Sequence, residues 1–357
     1  MRELNNFTMY TRRALAQKKT KISLWFKIIA TLIVLVIYGF LWITWTGNIG
    51  IKAYQKVSIP AGSSASQLDT ILEFPVSHTR YRLWYTLFGP ELILKQGTFK
   101  IDDSVTTIDE LFEALKNPTP TEDDIMFLPG WHKGEVAAEM KEKWVIGDLI
   151  AEERALIATF TPKYPFLVGK TSLEWFLMPD TYRITGSASV EDVVGKMLQN
   201  FNRRIYQPFL ESGKPLDAFY DVLTLASVVQ EEEKSASNVP IVAGILKKRL
   251  REGIRLGADV TVCYEELIPG GECQKFVNSY YSKSREVRDA KNYRYDTRNI
   301  AGLPATPIAG VTAGTFLATL NATADGTALF YLHDMQWGIH TATTDAEHEQ
   351  NKTTYLR

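Results

Sequence analysis

Leu223-Thr-Leu-Ala-Ser-Val-Val-Gln-Glu-Glu-Glu-Lys234 is the segment from which the architecture is read. Apolar residues at Phe219, Val222, Leu223, Ala226 and Val229 recur at three- and four-residue intervals, as in an amphipathic helix. Thr224, Ser227 and Glu231 fall on the opposite face, which the spacing predicts to be wet. At about 100° per residue, Glu232 continues the edge carrying Leu225 and Val228, while Gln230 and Glu233 continue the apolar arc. Acid is thus carried onto, or beside, the buried face at the C-terminal end, where the macrodipole is already negative. Burial and dipole both raise a carboxyl pKa, and a carboxyl protonated near neutral pH is what a general acid requires. The plainer reading is a solvated acidic cap with Lys234 as its counter-ion. Spacing demotes Glu231 and leaves Glu232 and Glu233 open.

At 357 residues the chain is long enough for two folded units. Its 11% aromatic and 23% charged residues are those of an ordinary globular protein, and a net charge of −1 offers nothing to a nucleic acid. Walker loop, Gly-x-Gly-x-x-Gly, zinc signature and internal repeat are all missing, so neither cofactor nor metal is expected. Among the five histidines, His333 and His340 fall on segments that read as paired strands. Two ligands are too few for a metal site, and they are read as structural or lining residues.

The N-terminus gives the second strong signal. No charge occurs between Lys27 and Lys52, and Ile28–Trp45 is almost wholly apolar over 18 residues, enough to cross a bilayer as a helix. Trp25 precedes it and Trp42 and Trp45 close it, as at a lipid–water interface. Arg2, Arg12, Arg13, Lys18, Lys19, Lys21 and Lys27 stand before it against one acid, Glu3. The positive-inside rule therefore puts residues 1–27 in the cytoplasm and the chain beyond Trp45 outside. A signal peptide would have a shorter apolar run and an Ala-x-Ala site, so a retained span at 28–45 is expected. Outside the cytoplasm Cys263 and Cys273 could pair across a hairpin-like segment with a Pro-Gly-Gly turn. Two buried free thiols are the alternative.

Taken in order, residues 46–117 read as a connector and a β-α-α-β-α module, too small to bury much by itself. Its strands are Val57-Ser-Ile and Gly97-Thr-Phe-Lys-Ile, and its helices lie near Leu68–Leu72, Thr79–Phe88 and Ile108–Leu115. Asn117-Pro-Thr-Pro-Thr-Glu-Asp-Asp reads as an exposed linker into a larger α+β domain at 118–357. There, Ile125-Met-Phe-Leu is a strand, and helices follow near Lys133–Lys143, over 146–168 irregularly, near 190–211 and at Ile241–Arg251. Leu256-Gly-Ala-Asp-Val-Thr-Val-Cys-Tyr reads as a strand, Thr312–Leu320 as a helix, and Ala328–His333 as a strand.

Together these segments resemble the YceG-like family of membrane-anchored endolytic murein transglycosylases. Leu173-Glu-Trp-Phe-Leu-Met-Pro-Asp-Thr-Tyr is similar to that family's Leu-Glu-Gly-Tyr-Leu-Phe-Pro-Asp-Thr-Tyr, and Ala226-Ser-Val-Val-Gln-Glu-Glu to its Ala-Ser-Ile-Ile-Glu-Lys-Glu. Gly244-Ile-Leu-Lys-Lys-Arg-Leu, Leu256-Gly-Ala-Asp-Val-Thr-Val-Cys-Tyr, Tyr295-Asp-Thr-Arg and Gly302-Leu-Pro follow in the family's order. The resemblance covers about 50–350, implies a LysM-like module after the span, and places the catalytic acid at Glu232. Gln230, Trp175, Val260 and Asp296 stand where the family has Glu, Gly, Pro and Asn.

The activity implied is lytic transglycosylation of the bond between N-acetylmuramic acid and N-acetylglucosamine, forming a 1,6-anhydro end without metal or cofactor. Its partners would be peptidoglycan strands, the membrane, and cell-wall synthesis proteins, with the catalytic domain outside the inner membrane. Gln230, Asp259, Thr261 and Tyr264 are the candidates for orienting Glu232 or the sugar. Asp180, Thr181, Tyr182 and Arg249 are the candidates for shaping the groove. One rival is a lysozyme-like hydrolase pairing Glu232 with Asp259 or Asp180. Another is a non-catalytic membrane scaffold that binds glycan.

Overall fold

A computed structural model describes residues 3–266, 270–283 and 294–356, with side chains from 24 onward except 270, 271 and 274. The chain divides into two compact units, Met1–Thr121 and Glu122–Arg357.

The first unit opens with α1 (Glu3–Thr44) and a 3-10 turn, Trp45–Asn48. Within them Leu24–Asn48 has a mean hydropathy of 2.4 over its most apolar stretch and is long enough to cross a membrane. Its Leu32, Val36 and Tyr38 are exposed, the opposite of a core helix. Next, β1 (Lys56–Ile59) pairs antiparallel with β2 (Gly97–Lys100), Val57 opposite Phe99. Between them lie α2 (Leu68–Ile71) and α3 (His78–Phe88), the latter stopped by Gly89-Pro90. α4 (Ile108–Lys116) is capped by Thr107, whose Oγ1 accepts from the Glu110 amide. Val57, Leu68, Tyr81, Trp84, Phe99, Ile108 and Phe112 form the core. Within the stretch expected to be an exposed linker, β3 (Thr119–Pro120) joins β2, its proline at a sheet edge where a missing N–H costs nothing.

The second unit is helical with two small antiparallel pairs. β4 (Glu122–Met126) lies against β5 (Thr181–Thr185), Ile125 opposite Tyr182. The helices are α5 (Lys133–Glu142), α6 (Leu149–Phe160), α7 (Val190–Phe201), α8 (Gln207–Glu211) and α9 (Ala218–Glu232). α10 (Val239–Arg251), α11 (Asp259–Glu265), α12 (Gly270–Tyr281) and α13 (Ala313–Asn321) follow. A hairpin of β6 (Phe330–His333) and β7 (Ile339–Ala342) and a last helix, α14 (Asp345–Tyr355), close the chain. Among the described residues the protein is thus a mixed α/β chain with one long apolar N-terminal helix.

α9 is the axis of this unit. Phe219, Leu223 and Ala226 pack into one apolar cluster with Phe201 and Phe316. Leu225, Val228 and Val229 pack into another with Val242, Leu246 and Ile308. Between Leu223 and Gln230 the helix lies between two cores and has no wet face; Thr224 and Ser227 are 2% and 0% exposed, contrary to the amphipathic expectation. Their hydroxyls are satisfied internally: Thr224 Oγ1 donates to the Tyr220 carbonyl, and Ser227 Oγ to that of Thr224.

The second correction concerns 256–264, expected as a strand. Val260 to Tyr264 are β-prone, yet Thr261, Val262 and Cys263 are buried in succession, Val262 and Cys263 packing with Cys273, Val277 and Tyr280. Val260 to Tyr264 lie in α11, with Asp259 in the first turn. Likewise, Cys273 sits on helix α12 rather than on a hairpin; Pro269 of the expected turn lies outside the described residues. Cys263 and Cys273 are joined by a disulfide that ties α11 to α12.

Candidate active site at the end of α9

α9 ends at Glu232, where Glu233 turns extended. No basic residue occupies the last turn of the helix; just beyond it, Lys234 donates its ammonium to the Gln230 carbonyl at 3.0 Å and lies 3.4 Å from Glu231. Three successive glutamates therefore share the negative end of a helix, and each has different company.

Glu231 keeps the counter-ion that the solvated-cap reading assigned to the whole cluster. Its carboxylate also lies over Gly130, where a Cβ would meet Oε1 at 2.3 Å. Glu233 is 4% exposed, with Oε2 2.7 Å from His333 Nε2 and Oε1 accepting from the Ser235 amide at 2.6 Å. Both of its oxygens are thus engaged. Glu232 has, among the described residues, one neutral donor: Tyr331 Oη, from β6, donates to its Oε2 at 2.8 Å. Burial pushes the Glu232 carboxyl above the ordinary range, with the Asp259 charge adding to it. Tyr331, His333 and Arg298 oppose that shift without cancelling it.

Around this carboxyl the structure fixes several charges. Arg249, from α10, donates Nε to the Leu329 carbonyl and Nη1 to that of Leu256, both at 2.7 Å. That grip holds its guanidinium within electrostatic reach of Glu232 and Tyr331. Asp259, at the start of α11, is held by both Nε and Nη2 of Arg298. Tyr264, further along α11, packs between the rings of His132 and Tyr295, 5.3 and 5.1 Å away. Trp175 stands edge-on to Tyr220, whose ring carries Lys170 on its face.

The expected residues separate into three groups. Asp259, Tyr264 and Arg249 lie on the elements that surround Glu232. Gln230 and Thr261 are tied into the framework. Gln230 Oε1 accepts from the Thr312 amide at 3.1 Å, and Thr261, 0% exposed, donates to the Ala258 carbonyl and meets Thr297 Oγ1 at 3.1 Å. A side chain closed off from solvent cannot touch a glycan. Asp180, Thr181 and Tyr182 gather elsewhere: with Lys196, Gln199, Asn200 and Arg203 they line a separate polar pocket. There Asp180 accepts from Asn200 and Arg204, and Tyr182 Oη donates to the Met178 carbonyl. Tyr331 and Arg298 were not anticipated. Arg298 was visible only as the last letter of Tyr295-Asp-Thr-Arg, and Tyr331 meets its partner across 99 residues, beyond any periodicity. Asp296 is 2% exposed and accepts from Tyr280, Tyr281 and Asn299, so that departure serves packing.

Among the described residues no group of three or more His, Cys, Asp and Glu is placed to hold a metal ion. The YceG-like family matches residues 57–354, nearly the whole of both units beyond the apolar helix. This chain belongs to the YceG-like family. An endolytic murein transglycosylase of Streptococcus pneumoniae serotype 2 (strain D39) is 23% identical over 328 residues, 84% of this chain and 58% of that protein. One from Bacillus subtilis (strain 168) is 23% identical over 324 residues, 85% of this chain and 86% of that protein. The chain thus spans less than two thirds of the pneumococcal relative's length. A crystal structure of a YceG-like protein from Listeria monocytogenes superposes with a TM-score of 0.51 at 21% identity, covering 83% of this chain and 97% of that one. At that identity the likeness is one of fold.

Proposed function

We propose that this chain is a membrane-anchored endolytic lytic transglycosylase of peptidoglycan, with Glu232 as its one acid–base residue. What carries the reading is the Glu232 carboxyl: raised by burial, on a family helix, with one oxygen on Tyr331 and the other not committed to a partner among the described contacts. The names of the relatives supply the substrate class.

Protonated Glu232 gives its proton to the oxygen bridging N-acetylmuramic acid and N-acetylglucosamine, and the C1–O bond breaks toward that oxygen. Positive charge develops on the muramic C1 and ring oxygen. The new carboxylate is stabilised by the Tyr331 hydroxyl and by the charges of Arg249 and Arg298. It then takes the proton of the same sugar's C6 hydroxyl while O6 bonds to C1, closing the 1,6-anhydro ring and restoring the acid. Because the nucleophile belongs to the substrate, positioning replaces activation of water.

In the same reading residues 1–27 are cytoplasmic, since basic residues dominate them, and the second unit lies outside the membrane. The Cys263–Cys273 disulfide supports an oxidising compartment. The β1-α2-α3-β2 order with antiparallel strands supports a LysM-like, glycan-binding role for the first unit. Asp259 beside Glu232 favours a second reading, hydrolysis with two carboxylates, although Arg298 occupies both its oxygens. Digestion of purified peptidoglycan followed by mass spectrometry separates them. Anhydro ends from wild type, and none from a folded Glu232→Gln variant, are expected. Products heavier by one water would replace this reading with the hydrolase, and undiminished activity of the variant would remove Glu232 from it.

A further inference from the structure

We propose that α3 is a membrane-surface helix, its outward apolar residues Leu83, Leu87 and Phe88 lying in the lipid bilayer beside α1. The inference rests on reading α1 as a membrane span.

One side of α3 belongs to the core of its unit: Tyr81 and Trp84 are buried. Yet Leu83, Leu87 and Phe88 on the same short helix are 43%, 58% and 43% exposed. Arg82 and Thr86 occupy another side and face solvent. The apolar exposure is therefore confined to a part of the helix, and α1 adjoins that part. Phe88 meets Phe40 of α1 edge to face, ring centroids 5.7 Å apart. Phe40 stands four residues before Thr44, about 6 Å inside the end of the helix at 1.5 Å per residue. It belongs to the apolar segment Leu24–Asn48 and is itself exposed. A ring touching Phe40 sits at the depth of Phe40, so the solvent that surrounds one surrounds the other.

Arg80 fixes this placement. Its Nη2 donates to the Trp42 carbonyl at 2.7 Å, its Nε to Thr46 Oγ1 at 3.1 Å, and its guanidinium lies 4.2 Å from the centre of the Trp42 ring. Arginine over tryptophan at a span's end is the pairing expected at headgroup level, the charge reaching outward and the apolar bodies inward. Lipid is favoured over a protein occupant because the patch is continuous with the surface of the span. Any protein covering it would have to enter the same layer.

The test uses the full chain in nanodiscs holding one copy each, made of phosphatidylethanolamine and phosphatidylglycerol. A nitroxide is attached to single cysteines replacing Leu87, Val36 or Asp103, the native disulfide being left oxidised. Collision of each label with oxygen, which partitions into lipid, is compared with collision with a water-soluble nickel chelate. Leu87→Cys, at an exposed position, leaves the core untouched. The expected result is a Leu87 label that is oxygen-accessible and shielded from nickel, like the label at Val36 and unlike that at Asp103. Nickel access equal to that at Asp103 would overturn the proposal, since the face would then be in water. Shielding from both reagents would also overturn it, since protein would then cover the face. A Val36 label reached by nickel would remove the span itself, and the proposal with it, whereas failure at Leu87 alone would leave the span standing.

Discussion

The two oxygens of Glu232 have different duties. Oε2 accepts from Tyr331, whose own hydroxyl is held well above the usual tyrosine range by burial and the adjacent acid, so it stays a donor. Tyr331→Phe removes the group that stabilises the charged form, so the Glu232 pKa rises further and the alkaline limb of the pH–rate profile moves to higher pH. The same change leaves the nascent carboxylate of the proposed reaction without its hydrogen-bond donor, with only the charges of Arg249 and Arg298 to support it. A hydrogen bond to a charged group is worth about 1.5–3 kcal/mol, so kcat should fall roughly ten- to a hundredfold. A pH–rate profile of both proteins measures both effects.

Glu232→Gln should have a stability signature as well. The folded-state pKa of Glu232 is raised above its ordinary value of 4.5, so the wild type binds this proton more tightly when folded. The contribution is favourable at low pH and is lost as pH climbs from the unfolded toward the folded pKa. The variant should therefore melt higher than wild type at pH 7–8, with the gap closing near pH 4. A unit of this size gains about 2–4 °C per kcal/mol relieved. Thermal melts at the two pH values decide it, and an unchanged gap would show that burial is not what raises the acid.

At the level of elements, the site is an arrangement of helix ends and one hairpin. α9 delivers the acid, α10 supplies Arg249, α11 supplies Asp259 and Tyr264, and β6 brings Tyr331 and His333. α11 is short and built from β-prone residues, so its shape depends on what it packs against and on the disulfide to α12. Closing a loop of this size stabilises by roughly 2–3 kcal/mol on the chain-entropy model. Replacing both Cys263 and Cys273 by Ser should lower the melting temperature and abolish any effect of reductant on it. Wild-type melts insensitive to reductant would show that the bond contributes nothing to stability.

At the scale of the molecule, two units have separate cores, and the first opens with one apolar helix. The exposed side chains of that helix cannot be solvated cheaply, at about 25 cal/mol per Å² of apolar surface. Removal of residues 1–48 should therefore shift the protein from the membrane pellet to the soluble fraction while anhydro-product release from isolated peptidoglycan persists. Fractionation and the mass assay check the two halves independently. Activity lost with localisation would mean that the span contributes to catalysis and not only to placement.

The sequence by itself determined the long apolar N-terminal helix, the β-α-α-β-α order of the first unit, the position of α9 and the acid cluster at its end. All of these are local: periodicity, caps, breakers and an uncharged run are written within a few turns of chain. Tertiary structure alone decided that α9 has no wet face between Leu223 and Gln230, because a second apolar cluster, with Val242, Leu246 and Ile308, packs on Leu225, Val228 and Val229. It decided that Val260–Tyr264 are helical, because packing of Val262 and Cys263 against Val277 and Tyr280 of α12 outweighed their preference for strand. It also decided which partners the three glutamates receive, since Tyr331 and His333 arrive from a hairpin about a hundred residues away. Spacing gives the direction of a side chain, but the medium around it comes from segments distant in sequence, and for a carboxyl that medium sets when its proton can leave.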